Sequence, residues 1–265
     1  MKIGIVGCAG RMGRMLVGAV LDTDGVDLAG ATERAGSDAV GRDVGEFLGR
    51  RQTGRVIDTD TLRLFEVSDA VIDFTTPAAS VEHAGFAAEA RTALVLGTTG
   101  LSPEDEAAIR DAAARTAIVC APNFSVGVNL LMLLAEQAAA VLDDSYDIEI
   151  VEMHHRHKVD SPSGTALGLG RACARGRKVA LDEVWCKARD GQVGARPRGE
   201  IGFATLRGGD VVGDHTIVFA GDGERIELSH RASSRAVFAS GAVRAARWAA
   251  GRPPGMYSMR DVLGM

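Results

Sequence analysis

Apolar residues in the first half of the chain fall in short runs, each closed by a polar or glycine-rich turn. Lys2-Ile3-Gly4-Ile5-Val6 is the first run and reads as a buried strand. It leads into Gly7-Cys8-Ala9-Gly10-Arg11-Met12-Gly13, then into helical spacing through Met15, Leu16, Ala19 and Val20. Val26 to Thr32, Ala70 to Phe74, Ala93 to Leu96 and Ala117 to Cys120 read as further strands. The last three end in Thr75-Thr76-Pro77, Gly97-Thr98-Thr99-Gly100 and Ala121-Pro122-Asn123-Phe124-Ser125. Ser102 and Pro103 mark the N-cap and first position of the helix after Gly100. Strand, polar turn and helix in repetition predict a doubly wound parallel sheet of the α/β class. Ligands of such sheets sit beyond the carboxyl ends of the strands, where these turns fall. His83 lies within a helical pattern and reads as structural or solvated.

The pattern changes after a long apolar helix over Val128 to Leu142. Asp147 to Val151 alternates, Thr165 to Cys173 is helical, and Ile201 to Leu206, Val211 to Ala220 and Arg225 to His230 read as three successive strands. The breaks at Gly208-Gly209 and Gly221-Asp222-Gly223 are hairpin-like. The second half is therefore expected to be a different, α+β domain with a mostly antiparallel sheet. Ser234 to Ala250 has the character of the first domain's helices and is expected to pack back on it. The expected division is 1–125 with 234–265, and 126–233.

A chain of 265 residues with 46% hydrophobic residues has material for a sizeable core. Its 5% aromatic content and abundant glycine favour α/β packing over a sandwich. The formal charge of −5 argues against a nucleic-acid partner. Cys8, Cys120, Cys173 and Cys186 have no metal-type spacing and read as thiols of a reducing compartment. No apolar run is long enough for a bilayer, and the N-terminus enters a strand pattern at Lys2. A cytoplasmic protein with no membrane partner is expected.

Gly7, Gly10 and Gly13 form G-x-x-G-x-x-G, a variant of the dinucleotide fingerprint with the same demands: a turn, a close approach to pyrophosphate, and helix–strand packing. Glu33, at the end of the second strand, stands where a ribose hydroxyl is held, and Arg34 beside it could meet a 2′-phosphate. The pair suggests tolerance of both NADH and NADPH.

The densest chemistry is His154-His155-Arg156-His157-Lys158-Val159-Asp160-Ser161-Pro162-Ser163-Gly164-Thr165, which holds three of the six histidines. Histidine exchanges protons near neutrality, and a lysine among cations becomes a usable acid. His154 and Lys158, four apart on a loop, can converge on one atom. Gly164 and Thr165, opening a helix, offer N–H groups to a carboxylate. A metal site at His154 and His157 is opposed by Arg156 and Lys158. A solvated basic loop and a nucleic-acid patch are the remaining alternatives, the latter weakened by the missing aromatics. The reading that best fits is a site for a small, strongly anionic molecule that is protonated as it reacts.

Glu152 to Thr165, with Gly7 to Gly13, Gly97 to Gly100, Ala121 to Ser125, Ile201 to Asp210, the Ser233-Ser234-Arg235 junction and Met259 to Leu263, resembles the 4-hydroxy-tetrahydrodipicolinate (dihydrodipicolinate) reductase family nearly end to end. The resemblance implies a Rossmann-type dinucleotide-binding domain, a substrate-binding and oligomerisation domain, and a homotetramer. It implies hydride transfer from NADH or NADPH to a cyclic imine dicarboxylate with loss of water, in lysine and diaminopimelate biosynthesis. By position, His154 and Lys158 would be catalytic, and His155, Gly164 and Thr165 would bind substrate. Gly7, Cys8, Ala9, Gly10, Arg11, Met12, Glu33, Arg34, Gly97, Thr98, Thr99, Ala121, Pro122, Asn123 and Phe124 would bind the cofactor. Cys8 replaces a small non-sulfur residue of the family, which puts thiol sensitivity in play. Ser161 replaces a common alanine, and the segment from Arg171 to Asp182 is short and basic. The alternatives are another two-domain NAD(P)-dependent dehydrogenase acting on an amino acid or semialdehyde, and a non-catalytic dinucleotide sensor.

Overall fold

The computed structural model describes residues 1–265, which divide into two compact units, 1–126 with 236–265, and 127–235. In the first, the chain runs β1 (Lys2–Val6), α1 (Arg11–Leu21), β2 (Asp27–Thr32), α2 (Val44–Phe47), β3 (Ile57–Asp58) and α3 (Thr61–Glu66). It continues through β4 (Ala70–Asp73), α4 (Pro77–Ala90), β5 (Ala93–Leu96), α5 (Pro103–Ala113) and β6 (Ala117–Cys120). Next come α6 (Val126–Val141), β7 (Asp147–His154), α7 (Gly164–Gly176), α8 (Leu181–Val184), β8 (Trp185–Cys186), β9 (Ile201–Arg207), β10 (Gly213–Gly221) and β11 (Glu224–Ala232). The chain ends with α9 (Ala236–Ala249), β12 (Gly255–Tyr257) and α10 (Met259–Leu263).

The first unit is a seven-stranded, all-parallel sheet in the order β3-β2-β1-β4-β5-β6-β12. Chain order reverses between β1 and β4, which makes the end of β1 a topological switch point of the Rossmann kind. Strands buried on both faces must be apolar throughout, and β4 and β5 are buried at every position. Ile3, Ile5, Ile72, Val95 and Val119 pack on one side with Leu16 and Val17 of α1 and the alanines of α9. Val71, Leu94, Leu96 and Ile118 pack on the other with Phe65, Ala84 and Ile109. Ser102 caps α5 in a capping box with Asp105, and Pro103 holds the first position. The sequence pattern misses β3 and β12, two and three residues long, because both are shorter than the window in which periodicity reads.

The second unit is a five-stranded sheet in the order β11-β10-β7-β9-β8. Ile148, Ile150, Ile201, Phe203, Ile217 and Phe219 alternate onto one face and pack against Leu131 and Ala135 of α6 and Leu169 and Cys173 of α7. Gly221-Asp222-Gly223 turns the antiparallel β10–β11 hairpin, as expected. Gly208-Gly209 does not turn a hairpin. β9 pairs in parallel with β7, and β10 crosses to the other edge of β7 as its antiparallel neighbour. The sheet is therefore mixed. The basic segment after Arg171 continues α7 to Gly176, and Arg177 then donates to the carbonyls of Asp143 and Tyr146. No helix is long and apolar enough to cross a membrane.

Candidate active site

Two groups of residues stand out, one in each unit. In the first, Gly7 adopts a left-handed φ of 63° as the chain leaves β1. A Cβ on Gly13 would lie 2.1 Å from Gly7 O, so only glycine lets α1 start this close to the strand. No side chain caps α1 at Gly10, which leaves the N–H groups of Arg11 and Met12 at an uncapped positive helix end. Glu33 lies against this loop, with Oε2 accepting from Ala9 N–H at 2.9 Å and Oε1 from Arg34 N–H at 3.1 Å. Arg34 is exposed. Cys8 faces inward: its N–H donates to Thr32 O at 3.1 Å, and its side chain is buried. Burial, reinforced by the Glu33 charge, pushes its thiol up to about 12. The expected thiol sensitivity is thereby corrected, since a protonated, enclosed sulfur is a poor nucleophile.

The turns after β4, β5 and β6 are tied together. Fully buried Asp73 accepts from Thr75 N–H at 2.8 Å and Thr75 Oγ1 at 2.6 Å, and lies 2.8 Å from His83 Nδ1. Ser80 Oγ bridges Asp73 Oδ2 at 2.9 Å and Thr98 Oγ1 at 2.7 Å. His83 is thus a structural partner of Asp73. Gly97 N–H donates to Asp73 O at 2.8 Å, Ala121 N–H to Leu96 O at 3.1 Å, and the Phe74 and Phe124 rings pack at 5.4 Å. Gly97, Thr98, Thr99, Ala121, Pro122, Asn123 and Phe124 therefore stand on one strand edge with Gly7 to Met12.

In the second unit, β7 runs three residues beyond Val151, the end of its alternating run in the sequence. His154 is consequently its last residue, rigidly placed, and only Lys158 is on a loop. This corrects the expectation that both lie on a loop. His154 is 8% exposed, and its Nδ1 lies 2.5 Å from Oε2 of Glu152, which is 1% exposed. Arg207 donates to both Glu152 oxygens at 2.8 and 3.0 Å, and Ser163 N–H donates to Oε1 at 3.0 Å. Burial by itself would raise the Glu152 pKa; the bonds from His154, Arg207 and Ser163 outweigh it and hold it at about 2. His215 packs edge-on to His154 at 5.1 Å between centroids, with Nε2 3.1 Å from Ser163 Oγ. Burial, then the charge of His154, lowers its pKa to about 4.

Lys158 Nζ donates to Asp160 Oδ1 at 2.8 Å. Arg235 lies 3.2 Å from His155 Nε2, and desolvation followed by this guanidinium holds His155 below its ordinary value. Ser163 caps α7, with Oγ accepting from Ala166 N–H at 3.1 Å, so Gly164 and Thr165 form the first turn of a 13-residue helix. Its dipole favours an anion there. The structure thus gathers His154, His155, Lys158, Gly164 and Thr165 at one end of the second sheet. Arg156 and His157 stay outside the buried cluster. Sequence reasoning assigned nothing to Glu152, Ser163, Arg207, His215 or Arg235; Glu152 was detectable as a carboxylate on the buried side of an alternating strand.

One unit thus holds a glycine-lined helix start at the switch point of a parallel sheet, and the other a group of histidines, a lysine and arginines beside a second helix N-terminus. Residues 1–124 match the family model described as "Dihydrodipicolinate reductase, N-terminus", and residues 127–263 the one described as "Dihydrodipicolinate reductase, C-terminus". A protein of Mesorhizobium japonicum named 4-hydroxy-tetrahydrodipicolinate reductase 1 is 56% identical, covering 100% of this chain and 97% of its own. The enzyme of the same name from Ruegeria pomeroyi is 55% identical over 98% of this chain and 97% of its own. Among solved structures, a dipicolinate-bound dihydrodipicolinate reductase from Paenisporosarcina sp. TG-14 superposes with a TM-score of 0.76 at 25% identity, covering 97% of each chain. The chain belongs to the dihydrodipicolinate reductase family, NAD(P)H-dependent oxidoreductases that reduce 4-hydroxy-tetrahydrodipicolinate in lysine and diaminopimelate biosynthesis.

Proposed function

We propose that His154 and Lys158 carry the protons of this reduction, and that His155, Gly164 and Thr165, with Arg235, hold the two carboxylates of the substrate. The observation that carries the reading is the grouping of these cations and a helix N-terminus at the end of β7, in a chain whose net charge is −5. The dipicolinate named with the Paenisporosarcina structure is a dicarboxylate of the kind this cluster suits. Bound NADH or NADPH supplies the hydride. The hydroxyl departs as water with a proton taken from the adjacent ring carbon, which leaves a ring double bond conjugated with the imine. Hydride adds to one atom of that system, and one proton is delivered to the electron pair this leaves. Nε2 of His154 and Nζ of Lys158 are the groups able to deliver and exchange those protons.

The first unit is the dinucleotide-binding domain in this reading. Gly7, Ala9, Gly10, Arg11 and Met12 receive the pyrophosphate, and Cys8 acts only as a buried filler of the loop. Glu33 exchanges its bond to Ala9 N–H for ribose hydroxyls, and Arg34 meets a 2′-phosphate. Gly97 to Thr99 and Ala121 to Phe124 line the remainder. The second unit is the substrate-binding and oligomerisation domain. The face of its sheet away from α6 and α7, which carries Val151, Met153 and Val218, supports packing into a homotetramer. The compartment is the cytoplasm.

The test is oxidation of NADH or NADPH by the full chain, with and without the cyclic imine dicarboxylate. His154→Ala and Lys158→Ala should each lose about 10²- to 10⁴-fold in rate. Wild-type turnover in either variant removes that residue from its role.

A further inference from the structure

The acceptor capacity of Glu152 is filled by donors from three elements. His154 Nδ1 lies on Oε2, Ser163 N–H on Oε1, and the two ends of the Arg207 guanidinium on both. Arg207 Nη2 also donates to the carbonyl of Asp160 at 2.7 Å, and Asp160 Oδ1 in turn holds Lys158 Nζ. One carboxylate is therefore connected to both proton carriers, directly to His154 and through Arg207 and Asp160 to Lys158.

Glu152 shares the buried face of β7 with Ile148 and Ile150. A charge placed there is costly, and an apolar side chain would serve stability as well or better. A carboxylate can only accept, so the proton between it and His154 belongs to Nδ1, which leaves Nε2 as the exchanging nitrogen. The surroundings agree with that polarity. A Cβ at Gly213 would stand 2.9 Å from Nε2, so this glycine keeps Nε2 clear. Arg207 sits opposite His154 in the parallel β7–β9 register, which fixes the guanidinium beside Glu152 through the sheet itself.

We propose that Glu152, clamped by Arg207, is the positioning residue of the reaction: it holds His154 with Nδ1–H inward and Nε2 outward, while Arg207 anchors the loop that carries Lys158. The proposal rests on the reading of His154 as a proton carrier.

Its test combines ¹⁵N-histidine NMR of the full-length protein with pH–rate profiles of Glu152→Gln, Arg207→Lys, His154→Ala and the double variant His154→Ala/Glu152→Gln. The neutral ring of wild-type His154 should be the Nδ1–H tautomer. Glu152→Gln should lose that preference and fall on the order of 10²-fold in kcat with KM little changed. Its pH–rate profile should differ from that of the wild type, because the carboxylate beside His154 is gone. Arg207→Lys should lower kcat less. In the His154→Ala background, Glu152→Gln should add less than about threefold, since the group it positions is absent. An Nε2–H tautomer in the wild type overturns the proposal even if Glu152→Gln does not fold. So does a folded Glu152→Gln with wild-type rate and profile, or a double variant whose loss is the product of the two single losses. A wild-type rate in His154→Ala instead sinks the proton-carrier reading beneath it. A slow His154→Ala beside an unaffected Glu152→Gln sinks the positioning role alone.

Discussion

Mild acid should weaken the second unit through His215. This ring is 3% exposed, and burial with the adjacent His154 charge takes its pKa from 6.5 to about 4. Between those values the unfolded chain binds a proton that the native chain refuses. Stability therefore falls as pH drops through 6.5, and the loss is complete near 4. At about pH 5, roughly 1.5 units into that window, the loss relative to about pH 7.5 is about 2 kcal/mol. Glu152 works in a different window. Its pKa is depressed to about 2, so its contribution stays intact above the ordinary carboxylate value and disappears only as pH falls below it. His215→Gln is the matched perturbation, because its amide keeps an acceptor for Ser163 Oγ and removes the titration. Urea unfolding at the two pH values can be followed at Trp185 of the second unit, in a Trp248→Phe background that silences the first. Wild type should lose about 2 kcal/mol more than His215→Gln on acidification. Equal losses in the two proteins would refute the reasoning, since His215 would then titrate alike in folded and unfolded chains.

Gly213→Ala places a methyl 2.9 Å from His154 Nε2 and 3.4 Å from its Cδ2, against a ring held by Glu152, and kcat should drop on the order of tenfold at a little-changed melting temperature. Steady-state kinetics and a thermal melt check this; an unchanged kcat means the ring gives way freely. Arg34→Ala should weaken NADPH by roughly tenfold and NADH by less than about twofold, measured by cofactor titration. Equal affinities for NADPH in variant and wild type mean that Arg34 does not read the 2′-phosphate. Cys8, enclosed and pushed up to about 12, should remain unmodified when the native protein is treated with iodoacetamide at neutral pH and digested for mass spectrometry. Early labelling at Cys8 would show that the loop opens.

The parallel sheet was readable because strands buried on both faces leave continuous apolar runs, and the turns after them carry glycine and proline at fixed places. The cluster from His154 to Thr165 was readable because its chemistry is contiguous. The positioning network was not. Glu152, Ser163, Arg207 and His215 are scattered over 64 positions and meet only because β9 and β10 flank β7 on opposite sides. That same arrangement defeated the hairpin reading at Gly208-Gly209: local turn chemistry is identical whether the next strand pairs beside its predecessor or crosses over. The inward turn of Cys8 depends on its bond to Thr32 O on the neighbouring strand, which no local spacing encodes.

α9 and β12 complete a sheet that begins at Lys2. On the ribosome this sets an order of events. Residues 127–235, a continuous stretch, are all exported while the first unit still lacks its last strand and the helix that covers Ile3, Ile5, Ile72, Val95 and Val119. Those side chains wait, with β6 as an open edge, until 236–265 emerge. A polypeptide cut before Ala236 therefore carries all of the second unit beside a first unit whose sheet is unfinished and whose apolar face is uncovered, and it should aggregate where the longer chain does not.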